Sequence, residues 1–92
     1  MKYYVEAYNA DIGVRCEVNA RADAAHDTIV KKAVQRVYNE LNRLGLIGAR
    51  AEVYREKPNV WLNGGVGFIS LSDGAHNYTV SLSNEYGSYM YV

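Results

Sequence analysis

Three features of this 92-residue sequence predict an α+β fold, one amphipathic helix packed on a five- to six-stranded antiparallel sheet in the order ββαβββ. Two segments near the start alternate apolar and polar residues with period two. A central segment repeats apolar residues every three or four positions, and the last third is a series of short β-prone runs separated by turn residues. A helix that follows a hairpin and precedes more antiparallel strands covers one face of the sheet.

In the first strand, residues 3 to 8, Tyr3, Val5 and Ala7 share one face, and Tyr4, Glu6 and Tyr8 share the other. In the second, residues 12 to 19, Val14, Cys16 and Val18 alternate with Arg15, Glu17 and Asn19. With a turn at Ala10-Asp11, Glu6 faces Arg15, Val5 faces Cys16 and Tyr3 faces Val18, so apolar meets apolar throughout. The same register sets Tyr8 across from Gly13, where a ring covers bare backbone.

A helix is predicted over residues 24–44. Asp23 is its expected N-cap, Ile29, Val30, Ala33, Val34, Val37, Tyr38, Leu41 and Leu44 form its apolar stripe, and Gly45 supplies the stop. At 1.5 Å of rise per residue it is about 30 Å long, enough to cross a small sheet. Ile47, Ala49, Ala51 and Val53 alternate with Gly48, Arg50, Glu52 and Tyr54, which predicts a third strand ending before the turn signal Lys57-Pro58-Asn59.

From Asn59 onward the chain is rich in Tyr, Ser, Gly, Asn and aliphatics, with Asp73 and Glu85 as its acidic residues. A three-stranded meander is expected, starting near Trp61 and bent at Gly64-Gly65. A tight Asp73-Gly74 turn would set Ile69 opposite Tyr78, with Phe68 and Ser70 on the opposite face. A four-residue turn Asn84-Glu85-Tyr86-Gly87 would set Leu82 opposite Tyr89 and Val80 opposite Tyr91, leaving Met90 and Val92 on the Phe68 side. No linker or repeat divides the chain, so residues 1–92 are read as one domain.

Ten basic and ten acidic residues cancel to a net charge of zero, so no overall field draws the chain toward nucleic acid or an anionic membrane. A single cysteine excludes an intramolecular disulfide and a multi-cysteine metal site, and fits a reducing compartment. No leader-like or membrane-spanning apolar run is present, which predicts a soluble, cytoplasmic protein.

Cys16 reads as a buried structural thiol. His26 and His76 lack any spacing that would join them to Cys16 as metal ligands, and no cofactor is expected. Glu85, His76 and an arginine would have to converge to make an acid–base site, and no motif brings them together. The Gly64–Gly67 run leads into a strand, unlike a phosphate loop. The expectation is a protein that is not an enzyme.

Two surfaces remain. Trp61, Phe68, Tyr86, Tyr89, Met90 and Tyr91, set among serines and asparagines, have the composition of a protein-binding surface. By the turn register Tyr89 and Tyr91 point inward, so they are either anchors or core. Lys31, Lys32, Arg36 and Arg43 on the polar side of the helix, with Arg15, Arg50, Arg55, Tyr4, Tyr8 and Tyr54 on the sheet, form the alternative, a nucleic-acid-binding surface. Glu6, Glu17, Glu52 and Glu56 lie among those same strands and weigh against it. A last strand at the sheet edge would also allow homodimer formation.

A short chain opening Met1-Lys2-Tyr3-Tyr4-Val5-Glu6-Ala7-Tyr8, with a hairpin, one helix and further strands, resembles small bacteriophage-encoded inhibitor proteins of the anti-CRISPR type in size and layout. The resemblance implies a protein that occupies a surface on a host protein or ribonucleoprotein complex, often where nucleic acid binds, through acidic and aromatic residues. The balanced charge departs from the strongly acidic DNA mimics of that group. The function expected is therefore a protein-binding module in the host cytoplasm, docking through the Tyr/Ser/Asn-rich meander, with nucleic-acid binding as the alternative.

Overall fold

The computed structural model describes residues 1–56, 61 and 68–90. Its elements run β1 (Lys2–Tyr8), β2 (Gly13–Asn19), α1 (His26–Arg43), β3 (Glu52–Glu56), β4 (Phe68–Ser72) and β5 (Asn77–Asn84), the expected ββαβββ order. The strands form one antiparallel five-stranded sheet, β2-β1-β5-β4-β3. The Lys57-Pro58-Asn59 turn, the Gly64-Gly65 bend, Tyr91 and Val92 lie outside the described residues.

The hairpin forms in the expected register, Glu6 opposite Arg15, Val5 opposite Cys16 and Tyr8 opposite Gly13, with no bulge across seven pairs. Its turn is held by Asn9, whose Oδ1 accepts the N–H groups of Asp11 and Ile12. The helix buries Ile29, Val30, Ala33, Val37 and Leu41, and Leu44 is exposed just past its end.

Asp23 is not the cap. Ala25 holds the N-cap position without a side-chain hydrogen bond, and Asp23 pairs with Arg21 at 3.4 Å. The turn closed by the Ala24 N–H on the Arg21 carbonyl occupies the residues expected to begin the helix. At the other end Gly45 takes φ +72°, its N–H bonds the Asn42 carbonyl, and the Leu46 N–H bonds the Leu41 carbonyl. This is a Schellman stop, and it needs the left-handed residue that glycine supplies.

The helix packs on β2 and β1 and only touches β5. The chain that follows it covers the next part of the sheet. The Tyr78 hydroxyl donates to the Leu46 carbonyl at 2.6 Å and the Tyr38 hydroxyl to the Ala49 carbonyl at 2.9 Å. Asp73 Oδ2 accepts the Gly48 N–H at 2.6 Å, and Ile47 is buried. These bonds take the backbone of residues 46–49 out of any ladder, so the third strand begins at Glu52, five residues later than the alternation predicted.

Two registers also differ from expectation. Ile69 faces Val80 and Leu71 faces Tyr78, because the β4–β5 loop spans four residues, Asp73 to His76. Asp73 Oδ1 accepts the N–H groups of Ala75 and His76 and so stabilises this longer loop, with Gly74 at φ +92°. The shift is two residues, so every side chain keeps its face.

Past β5, Ser83 pairs with Tyr89 and the Met90 N–H reaches the Leu82 carbonyl at 2.8 Å. Three residues, Glu85 to Gly87, make this turn, with Gly87 at φ +85°. A shift of one residue exchanges faces. Tyr89 therefore projects outward, 75% exposed, and Met90 packs against the core, the reverse of the expected arrangement.

Candidate binding face

With the helix on one side, strand alternation divides the sheet residues cleanly. Tyr3, Val5, Ala7, Cys16, Val18, Ile69, Leu71, Tyr78, Val80 and Leu82 form the buried layer. The residues between them point to the other face. There, pairing across the sheet builds rows in which tyrosines flank small hydroxyl residues. One row runs Gly13, Tyr8, Thr79, Ser70, Tyr54, and a second runs Glu17, Tyr4, Ser83, Tyr89.

Strands lie about 4.8 Å apart, so Tyr8 and Tyr54, three strands distant, stand roughly 14 Å from each other with Thr79 and Ser70 between them. The result is a groove of about 340 Å³ lined by Tyr8, Asn9, Tyr54, Ser70, Ser72, Asn77 and Thr79, among others. A smaller hollow of about 50 Å³ lies among Tyr4, Glu6, Arg15, Ser81, Ser83 and Tyr89. Large rings at the sides and short side chains on the floor are what makes the face concave.

The polar groups of this face are held locally. The Tyr54 hydroxyl donates to Glu52 Oε2 at 2.6 Å, and that bond raises the phenol's pKa. The Arg15 guanidinium stacks 4.6 Å from the Tyr4 ring centroid. Lys2 pairs with Glu17 at 3.1 Å, which raises the ammonium's pKa and keeps it charged. Lys2 and Arg15 are thus the cations of the described strands on this face, against Glu6, Glu17 and Glu52. The face is aromatic and slightly acidic.

Phe68 lies here, 39% exposed, as do Tyr4, Tyr54 and Arg15. Tyr86, 79% exposed, sits at the tip of the turn after β5, with its N–H on Asn84 Oδ1. Trp61 is exposed. Arg55, expected beside the tyrosines, lies on the helix side of β3 opposite Ile69 and binds Asp27 at 2.8 Å, drawing that carboxyl below its ordinary range. Arg50 lines a separate hollow of about 270 Å³ with Glu52, Tyr54, Ser72, Asp73 and Gly74.

The basic helix residues do not form a free cationic strip. Arg36 and Arg43 both bind Glu40, and the hydrogen bond from Arg43 holds that carboxyl below its usual range. Lys32 donates to the Asn19 carbonyl. Lys31 is exposed on the same helix and its charge helps to hold the Asp27 carboxyl down. Lys32, Gln35, Arg36 and Asn39 do line a groove of about 460 Å³ between helix and β2, whose other wall is Glu17, Val18 and Asn19.

Cys16 is buried, which raises its thiol pKa and keeps it protonated and unreactive. His26 begins the helix, 50 residues before His76, whose Nδ1 lies 3.0 Å from Asp73 Oδ2. Among the described residues no group of three or more His, Cys, Asp or Glu side chains converges, and none of their helices is long and apolar enough to cross a membrane. Compared with known proteins, the chain matches no family model, no curated protein and no solved structure.

Composition singles out the serines of the meander together with its aromatic residues, whereas their gathering into the floor of one groove does not show in composition. Ser70, Ser72, Thr79, Ser81 and Ser83 are ordinary strand residues one by one. The signal was their shared parity: each alternates with a core aliphatic, so together they had to line the uncovered side.

Proposed function

We propose that the protein is a non-enzymatic binding module that docks on a protein partner through its uncovered sheet face. The observation that carries this reading is the pair of tyrosine rows over a Ser/Thr floor on the side away from the helix. Tyrosine gives large contact area with few rotatable bonds, and small hydroxyl residues add adaptable hydrogen bonding. The β4–β5 part of the Tyr/Ser/Asn-rich meander supplies that floor, and Tyr86 and Tyr89 extend the surface beyond the end of β5.

Charge selects the partner. Among the described side chains of the strands, three carboxylates against two cations on this face favour a basic protein surface, such as a channel that holds nucleic acid in a host protein or ribonucleoprotein complex. The resemblance in size and layout to anti-CRISPR-type inhibitors fits a role in blocking such a surface. The same carboxylates would repel phosphates, and three of the four helix cations, Arg36, Arg43 and Lys32, are engaged by Glu40 and the Asn19 carbonyl, so nucleic-acid binding has less support.

The test is capture from host lysate with tagged wild-type and Tyr54→Ala protein, with and without nuclease, across a salt series. A stoichiometric basic protein retained after nuclease treatment and lost with Tyr54→Ala supports the reading. Recovery of nucleic acid alone, released as salt rises and indifferent to Tyr54→Ala, would overturn it.

A further inference from the structure

The edge strand β2 carries a second kind of complementarity, toward itself. Among the described residues β2 pairs on one side only, with β1. The hydrogen bonds joining Met1 to Ala20 and Asn9 to Ile12 fix the phase of that ladder. By strict alternation, Val14, Cys16 and Val18 direct their backbone groups at β1. Gly13, Arg15, Glu17 and Asn19 direct theirs outward.

The seven-residue edge is unbulged and carries neither proline nor lysine, so of the usual guards against pairing it keeps only the charges of Arg15 and Glu17. One end alone is occupied, where Lys32 donates to the Asn19 carbonyl. A second β2 running antiparallel can bond only in registers that set outward groups against outward groups. The one centred on Cys16 uses the whole strand. It places Arg15 of each copy opposite Glu17 of the other, Gly13 opposite Asn19, and Val14 opposite Val18 on the helix side. The neighbouring allowed registers, shifted by two residues, set Arg15 against Arg15 or Glu17 against Glu17, and like charges directly opposite are unfavourable.

From this self-complementarity we infer that β2 is a homodimer interface, with two copies related by a two-fold axis through Cys16 and normal to the sheet. The sheets join into one of ten strands, built from two of the five-stranded sheets described above. Both helices lie on one side and both tyrosine faces on the other. The inference does not rest on what those faces bind. It also differs from the dimer expected from sequence, which used the last strand: β5 lies in the middle of the sheet, and part of the segment after it is outside the described residues.

The test is a charge swap read by sedimentation. The wild-type chain should run at twice its 10.3 kDa mass. Arg15→Glu or Glu17→Arg alone sets like charges opposite twice per interface and should weaken the dimer at least about tenfold. Mixing the two variants in equal amounts restores both opposite pairs, so a heterodimer should return. Glu17→Pro removes an outward N–H while leaving the bonds to β1 intact, and should give a folded monomer should Arg15→Glu fail to fold. A wild-type chain that stays monomeric at every concentration would overturn the inference. So would a dimer indifferent to these substitutions, or single variants that do not associate when mixed.

Discussion

The two faces of the sheet are built from the same strands, residue by residue in alternation, yet they obey different rules. The helix-side face is mainly aliphatic, with Val5, Ile69, Leu71 and Val80 no more than 3% exposed and the rings of Tyr3 and Tyr78 buried among them. The opposite face carries Tyr8, Tyr54, Phe68 and Tyr89 at 39% to 75% exposure over short hydroxyl residues. A folded core tolerates little change in shape, while an open surface tolerates most substitutions. Stability should therefore depend on the first face and binding on the second.

The sharpest way to break this division is Leu41→Ala. Leu41 is fully buried where the helix meets the sheet, and its loss should cost about 2–5 kcal/mol in a denaturant melt. At temperatures where the variant stays folded its affinity for the partner should be unchanged, and a matching loss of affinity would mean that the faces are not separate. Tyr54→Ala is the complement. Affinity should fall by roughly tenfold or more with the melt nearly unmoved, since this ring stands 58% exposed on β3. The same measurement on Tyr86→Ala asks whether the turn tip belongs to the surface.

Gly87→Ala probes the place where the faces could be exchanged. A left-handed backbone costs a side-chain-bearing residue about 1–2 kcal/mol, so the turn after β5 should weaken by about that much. The readout is faster hydrogen exchange at the Met90 and Asn84 amides, whose bonds to Leu82 and Ser88 define the register.

The mildest effect belongs to pH. Asp73 accepts hydrogen bonds from His76, Gly48 and Ala75, which hold its carboxyl well below the usual carboxylate range. A group whose pKa is lower folded than unfolded adds stability above its unfolded value, near 3.9, and loses it as pH falls through and below that value. The thermal midpoint should thus decline in acid from this residue. Asp73→Asn should have a shallower acid decline, and an unchanged slope would remove Asp73 as its cause.

Local pattern carried the reading of the sequence furthest where the structure is local. Strand alternation determines the β1–β2 register because a slip would bury Glu6 or Arg15, and the helix stripe follows from Ile29 to Leu41 in the same way. The β4–β5 register was missed by two residues because the choice between a two- and a four-residue loop turns on the Asp73 side chain. Residues 47–51 alternate like a strand, but Tyr38, Tyr78 and Asp73, distant in sequence, take up the local backbone groups. The groove of the candidate site depends on β1 lying beside β5, a pairing with no local signature.

That pairing also orders the events of folding. Tyr3 sits opposite Asn84, so β1 finds its second neighbour only after some eighty further residues have been synthesised. Until then the hairpin and helix can form, but one side of β1 remains without a ladder. Closing so long a loop is slow, and the waiting edge is open to wrong partners. A nascent chain stalled before residue 77 should accordingly be the aggregation-prone species, more so than any point variant of the finished protein.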